Sequence, residues 1–327
     1  MNLLFIIIFG EELKQTNMLL IMFDDLRPEL SIYGRPHVIT PNFERLAARG
    51  VVFDHAYCQV AVCNPSRNSM LTGLRPDTLK NYNFGSSFHP HITFPTQLVN
   101  SGYNTAAAGK IMHWVDGDPK IWNFEHFEND WYGYQGREGS WMNASVMPDK
   151  KPLEQFRDYE FTTKSINQIR AMNSKPKYFL AAIGYKLPHI EIHIPHQFYK
   201  MYDDRKHAWR LTKRELRYPA SISEISHRCC ADWNFKFVRD EGSTKYNRSQ
   251  HIMDQNDIGK PMPQEMHDNL MQGYLAGVTF LDSQIGRLLD VLDELDLWQN
   301  TTIILTSDHG MHNGEKGIWL PLLISLL

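Results

Sequence analysis

The sequence predicts an α/β fold, a mostly parallel central sheet with helices on both faces. Three observations carry that reading. Apolar runs of strand length recur along the chain, bounded by polar residues, as in strands buried on both faces. Helical patterns separate them, which implies parallel pairing through helical crossovers. A chain of 327 residues that is 42% apolar and 12% aromatic also has ample material for a large buried core.

The first strand is Met18 to Phe23, MLLIMF. Thr40-Pro41 followed by NFERLAARG predicts a helix with Thr40 as N-cap, proline at its first position and Gly50 as its stop. Thr105 to Ala108 is a short apolar stretch, and residues 115–160, rich in aromatics, glycine and aspartate, read as long loops. Lys177 to Gly184, KYFLAAIG, is a second buried strand. Residues 203–265 are polar and irregular and receive no assignment. Tyr274, Val278, Leu281, Ile285, Leu288, Leu292 and Leu295 recur at spacings of four and three, one apolar stripe on a long helix. Thr301 to Thr306, TTIILT, is a third strand.

Composition narrows the function classes. A formal net charge of −3 with 22% charged residues gives no global field for nucleic acid, so an anionic ligand must be held by a few placed cations. No run of 18 apolar residues predicts a membrane span. Four cysteines, Cys58, Cys63, Cys229 and Cys230, have neither the density of a disulfide framework nor zinc-finger spacing. Asn143-Ala-Ser145, Asn247-Arg-Ser249 and Asn300-Thr-Thr302 are glycosylation acceptors in a secreted chain. The opening MNLLFIIIFGEE has an apolar run at the lower limit for a signal core, with no basic leader.

In open α/β sheets ligands bind beyond the carboxyl ends of the strands. Chemistry-bearing residues gather at those ends here: Asp24-Asp25 after the first strand, Lys186 to His189 after the second, Asp308-His309 after the third. Three carboxylates and an imidazole form an oxygen-rich set that suits a hard cation such as calcium or magnesium. Between them lies Cys63-Asn-Pro65-Ser66-Arg67-Asn-Ser-Met-Leu71-Thr72-Gly73. Pro65 is placed to open a helix, which puts Cys63 at an anion-favouring N-terminus with Arg67 one turn on.

This eleven-residue run resembles the signature of the type I sulfatases, whose fold is alkaline-phosphatase-like. The resemblance implies that Cys63 is oxidised to formylglycine by a formylglycine-generating enzyme before the chain folds. An aldehyde hydrate suits sulfate transfer, because one hydroxyl attacks sulfur and deprotonation of the second expels sulfate. It further implies one calcium ion on Asp24, Asp25, Cys63, Asp308 and His309. Arg67, Lys110, His113 and His189 are implied around the sulfate, with Lys110 and His113 at the hydrate and His189 at the leaving oxygen. The stretches MLLIMFDDLRPELSIYG, GYKLPHI and YLAGVTFLDSQIGRLLDVLDELDL, with TSDHG, resemble a subgroup that removes the 2-sulfate of iduronate in heparan and dermatan sulfate. That subgroup implies a sulfated glycosaminoglycan substrate and a lysosomal or secretory location.

The subgroup has an aromatic residue where Met311 stands and a sulfate-binding lysine where Pro321 stands. The expected layout is an N-terminal segment at 1–16, an incomplete catalytic domain at 17–319 and an aberrant tail at 320–327, without the family's smaller C-terminal subdomain. An inactive homologue that binds sulfated glycans is the alternative. A phosphate-ester hydrolase on the same fold is disfavoured by the Cys-x-Pro-x-Arg core.

Overall fold

The computed structural model describes residues 15–82, 87–113, 121–127, 146–190, 192–205, 208–209 and 264–314. All but the last two residues of the expected N-terminal segment, the whole of the expected tail, Asn143, Asn247, Cys229, Cys230 and Pro321 lie outside them.

Five strands form a parallel sheet: β1 (Asn17–Asp24), β2 (Asn104–Gly109), β3 (Glu125–Phe127), β5 (Phe179–Pro188) and β7 (Thr301–Ser307). Their order is β3-β2-β5-β1-β7, so β1 pairs with β5 on one side and β7 on the other. A second parallel pair joins β4 (Val146–Asp149) to β6 (Ile192–Pro195). The three predicted strands are all present, and β5 runs four residues past Gly184 into the Lys-Leu-Pro sequence.

Strand alternation divides the core into two layers. Leu19, Ile21 and Phe23 of β1 face one cluster, while Leu20 and Met22 face the other. The first layer is covered by α1 (Pro41–Ala47), α5 (Arg157–Asn173) and α7 (Gln264–Glu294), which supply Phe43, Phe161, Ile169, Met172 and the apolar residues of the long helix. The second is covered by α2 (Cys63–Thr72) and α4 (Phe94–Asn100) through Leu71, Phe94 and Leu98. Two short helices, α3 (Pro76–Leu79) and α6 (His196–Lys200), complete the framework.

Several expectations are corrected. Thr40 makes no side-chain cap; its hydroxyl instead bonds the backbone and side chain of Ser31. Residues 115–160 include β3, β4 and the start of α5, because aromatic residues that read as loop are here strand and helix contacts. Helix α7 starts ten residues before Tyr274 and ends at Glu294, so Leu295 of the predicted stripe falls just past it, half-buried; the helix buries Leu270, Leu275, Phe280 and Leu289 besides the rest of the stripe. A helix buried on most of its circumference has no single apolar face. Helix α2 opens at Cys63 itself, with Pro65 inside the first turn, and stops at Gly73 in a left-handed C-cap.

Gly109 and Gly184, register partners in β2 and β5, set the spacing beneath the site. A Cβ on Gly184 would fall on the Lys110 carbonyl, and one on Gly109 on the Gly184 carbonyl and 2.7 Å from the Phe161 ring. This close approach lets the Lys110 N–H donate to Gly184 O at 2.8 Å, fixing the backbone that carries the lysine.

Candidate active site

The carboxyl ends of β1, β2, β5 and β7 converge, and every predicted site residue lies just beyond one of them or on α2. Adjacent strand residues point to opposite faces, so Asp24 and Asp25 would diverge if β1 continued. Asp25 instead adopts a left-handed backbone with φ 66°, which aspartate tolerates better than most side chains. The break brings both carboxylates to one cluster: Asp24, Asp25, Cys63 and His309 each offer a ligand-type atom, all within 4.8 Å of one another.

Cys63 is buried, with Sγ 3.3 Å from Asp24 Oδ1 and 3.2 Å from His309 Nε2. If residue 63 is converted, Sγ marks where the oxygen of the modified side chain stands. Burial, reinforced by Asp24, pushes the thiol up to about 12, so an unmodified Cys63 is a protonated and poor nucleophile at neutral pH. Cys58, also a free thiol, is exposed, and burial of its sulfur with Asp308 nearby raises it.

Arg67 is fully buried and organises the floor. Nε donates to Asp308 Oδ2 at 2.9 Å, one terminal nitrogen donates to Phe23 O at 3.2 Å and lies 3.6 Å from Asp24 Oδ1, and the other donates to the Lys110 carbonyl. Burial works against its charge, but Asp308 and Asp24 prevail and raise it. Lys110 Nζ pairs with Asp24 Oδ2. Burial drives Asp24 upward, yet Lys110, His189 and Arg67 hold it well below the usual carboxylate range. Asp308 is raised, chiefly by burial. Its oxygens accept from Arg67, from the Asp25 N–H at 3.2 Å and from the His309 N–H at 2.9 Å, and it stands outside the four-residue group.

His309 is disfavoured as a cation by burial, but Asp308 and Asp25 outweigh this and raise it well above its ordinary value. Its Nδ1 lies 3.1 Å from both the Gly310 carbonyl and Asp25 Oδ1, the latter outside hydrogen-bond alignment. His113 is held neutral, lowered to about 2 by burial and then by Lys110. His189 sits at the rim, 16% exposed, with Nε2 3.8 Å from Asp25 Oδ2.

The donor set fits a divalent ion on an observation of this chain. Of three buried carboxyl groups, Asp24 and Asp308 face Arg67, Asp24 also meets Lys110, and Asp25 meets only imidazoles among the described residues, His309 Nδ1 at 3.1 Å and His189 Nε2 at 3.8 Å. Both Asp25 oxygens are buried and accept no hydrogen bond from the described residues. A buried carboxylate left so costs several kcal/mol, roughly, unless a cation meets it. Oxygen ligands with one imidazole suit a hard ion. The surface hollow lined by Gln59, Val60, Arg75, Pro76, Asp77 and Tyr82 contains none of these residues.

Three residues escaped the sequence reading. Tyr274 was visible only as part of a core stripe, yet its hydroxyl reaches the backbone of the Asp25 turn. Ser307 accepts the Leu26 N–H and donates to His309 O. Asp158, second in α5, accepts the Lys186 and Leu187 N–H groups at 2.9 and 3.2 Å and so pins the turn carrying His189. Tyr274 and Ser307 lie inside stretches quoted for the resemblance, but nothing in those stretches marks either as a bond to the Asp25 turn, and no short motif marks Asp158.

Burial raises Asp158 to about 6 from an ordinary 3.8. The folded chain therefore binds a proton there that the unfolded chain releases, and this contribution to stability falls as pH rises from about 4 to about 6. Above that window both states are ionised and the penalty is constant. Asp158→Asn removes the linkage, so the stability difference from wild type should change by at most about 1.4 kcal/mol per pH unit inside the window. Urea midpoints at pH 4, 5, 6 and 7 check it; a difference independent of pH would reject the assignment.

Comparison with known proteins gives a consistent picture. The family model described as Sulfatase matches residues 16–324. The chain is 32% identical to iduronate 2-sulfatase of Mus musculus and 31% identical to that of Homo sapiens, each match covering 93% of this chain and 56% of the relative. The chain thus spans little more than half the length of those curated relatives. A solved structure in complex with its substrate D-glucosamine-2-N,6-O-disulfate aligns with a TM-score of 0.69 at 24% identity, over 94% of this chain and 68% of the other. A phosphonate monoester hydrolase of Agrobacterium radiobacter aligns with a TM-score of 0.69 at 17% identity, over 93% of this chain and 64% of the other. At those identities the two structures speak to the fold, a mostly parallel sheet with flanking helices.

Proposed function

As a member of the sulfatase family, the chain is one that we propose hydrolyses sulfate esters, with residue 63 as the nucleophile after conversion to formylglycine. The observation that supports this most is the position of Cys63. It opens α2 at a helix N-terminus, with Sγ against Asp24 and His309 inside a group of four ligand-type residues.

Asp24, Asp25, His309 and residue 63 would hold one calcium ion, and Asp308 keeps lone pairs to add to the set. Bound there, calcium supplies charge neutralisation and polarisation beside the reacting group. The converted side chain supplies a hydrate with one hydroxyl for attack and a second for release. The remaining work belongs to the chain's own groups. Arg67 and Lys110 hold Asp24 ionised and place two positive charges where a sulfate anion must sit. His113 stays uncharged beside Lys110, able to accept a hydrogen bond or a proton from a hydroxyl. His189, partly exposed at the rim, would protonate the departing sugar oxygen.

Similarity to two iduronate 2-sulfatases supports the 2-sulfate of iduronate in a glycosaminoglycan as the substrate. It supports a lysosomal or secretory route and a formylglycine-generating enzyme as processing partner. Asn300, exposed just before β7, is available to a glycan on that route. Among the described residues no helix is long and apolar enough to cross a membrane.

The test combines two readouts on protein from secretory cells: the mass of the tryptic fragment holding residue 63, and turnover of a fluorogenic iduronide 2-sulfate against a matched phosphate ester. Conversion with preference for the sulfate supports the proposal. Full conversion without turnover of either ester supports instead a glycan-binding homologue, motivated by Pro321 at the family's lysine position.

A further inference from the structure

Resting on the metal site just described, we propose that Tyr274 is a positioning residue for calcium. Through two backbone hydrogen bonds it holds the strained Asp25 turn in the shape that presents the Asp25 carboxylate to the ion.

The turn is tied at consecutive backbone groups. Asp25 N–H donates to Asp308 Oδ1 at 3.2 Å, Leu26 N–H to Ser307 Oγ at 3.1 Å, and Arg27 N–H to the Tyr274 hydroxyl at 2.9 Å. The same hydroxyl donates back to the Asp25 carbonyl at 2.9 Å. Asp308 and Ser307 belong to the β7 end that itself carries His309, so they move with the ligands. Tyr274 comes from the middle of the 31-residue helix α7 and is 0% exposed. It is therefore the rigid reference against which the turn is set.

The turn needs such a reference. A left-handed aspartate is disfavoured relative to an ordinary backbone. The Asp25 oxygens, which find no hydrogen bond among the described residues, add a reason to relax away. Tyr274 opposes both by bracketing residue 25 from its own carbonyl to the N–H two residues on. Removing the hydroxyl leaves those two buried backbone groups without that partner, and the turn then favours a shape that no longer presents Asp25 beside Asp24. Groups that orient metal ligands without touching the ion typically alter affinity by about 10–100-fold.

Tyr202 provides a matched control. It too is 0% exposed, and its hydroxyl bonds Thr279 of α7 and the Ile39 N–H at 3.0 Å, away from the ligand cluster. The experiment is calorimetric titration of calcium into chelator-treated wild type, Tyr274→Phe and Tyr202→Phe without substrate, with thermal midpoints measured in chelator. Tyr274→Phe should raise the calcium Kd about tenfold or more, while Tyr202→Phe binds as wild type despite a comparable drop in midpoint. Wild-type affinity in Tyr274→Phe overturns the proposal and leaves the hydroxyl a plain helix anchor. No calcium binding by wild type overturns the metal reading itself, which is a separate result. Where Tyr274→Phe does not fold in plain buffer, it is titrated beside wild type in a stabilising osmolyte, and equal calcium affinities there overturn the proposal equally.

Discussion

Cys63→Ala should abolish sulfate-ester turnover, lowering kcat by about 10⁴-fold or more while the chain remains folded. The size follows from what is removed: without the nucleophile only binding and electrostatic stabilisation remain, and in enzymes that act covalently this leaves a small residue of the rate. Retention of the fold follows from what remains. Cys63 is the first residue of α2, where alanine is accepted, and its sulfur contacts Asp24 and His309 rather than an apolar partner. Cys63→Ser should be nearly as inactive, because a serine hydroxyl gives a sulfate adduct with no second hydroxyl to expel it. Single-turnover assay of the three proteins under identical calcium checks this. Turnover by Cys63→Ala within tenfold of wild type would remove residue 63 from the reaction.

Arg67→Ala should be the most destabilising single change in the site, at about 3–5 kcal/mol. The guanidinium is 0% exposed and meets Asp308, Asp24, Phe23 O, Lys110 O and Met22 Sδ. Deleting it leaves two carboxylates buried with less compensation and backbone acceptors from two strand ends unmatched. Lysine cannot restore this, since one ammonium on a flexible stem does not reproduce the planar fork that bridges β1, β2 and β7. Arg67→Lys should therefore recover less than half of the loss. Adding Asp308→Asn to Arg67→Ala should restore part of it by removing a stranded charge. Denaturant midpoints for the set check the ordering; equal stability of Arg67→Ala and wild type would mean the buried charges are met elsewhere.

Sequence legibility followed physical locality. Strands β1 and β5 were readable because a strand buried on both faces is written as a continuous apolar run, and β7 carries a similar run although it is only half-buried, with Ile304 40% exposed. The ligand-type residues were readable because the carboxyl ends of parallel strands share one edge of the sheet. Helix α5 was not read, although Phe161, Ser165, Ile169 and Met172 recur at helical spacing. Its buried face carries Thr162, Ser165 and Gln168, of which Thr162 bonds the Tyr185 hydroxyl and Gln168 donates to Ala107 O, and polar residues on a buried face disguise an apolar pattern. The division of labour among the acids was equally hidden. Asp24, Asp25 and Asp308 are the same residue type at similar places, yet only the folded arrangement shows that Asp308 is engaged by Arg67 and two amides while Asp25 lacks a hydrogen bond among the described residues and faces the imidazoles of His309 and His189.

The order of strands in the sheet also sets a clock. β1 pairs with β7, and Cys63 meets His309 across a sequence separation of 246 residues. During synthesis at about 5–20 residues per second, the thiol precedes its imidazole partner by roughly 12–50 s. Until β7 emerges and docks, nothing from that strand end covers residue 63, and the conversion proposed above would have that interval in which to reach it. Once β7 is in place, the same cysteine is 3% exposed and the opportunity has closed.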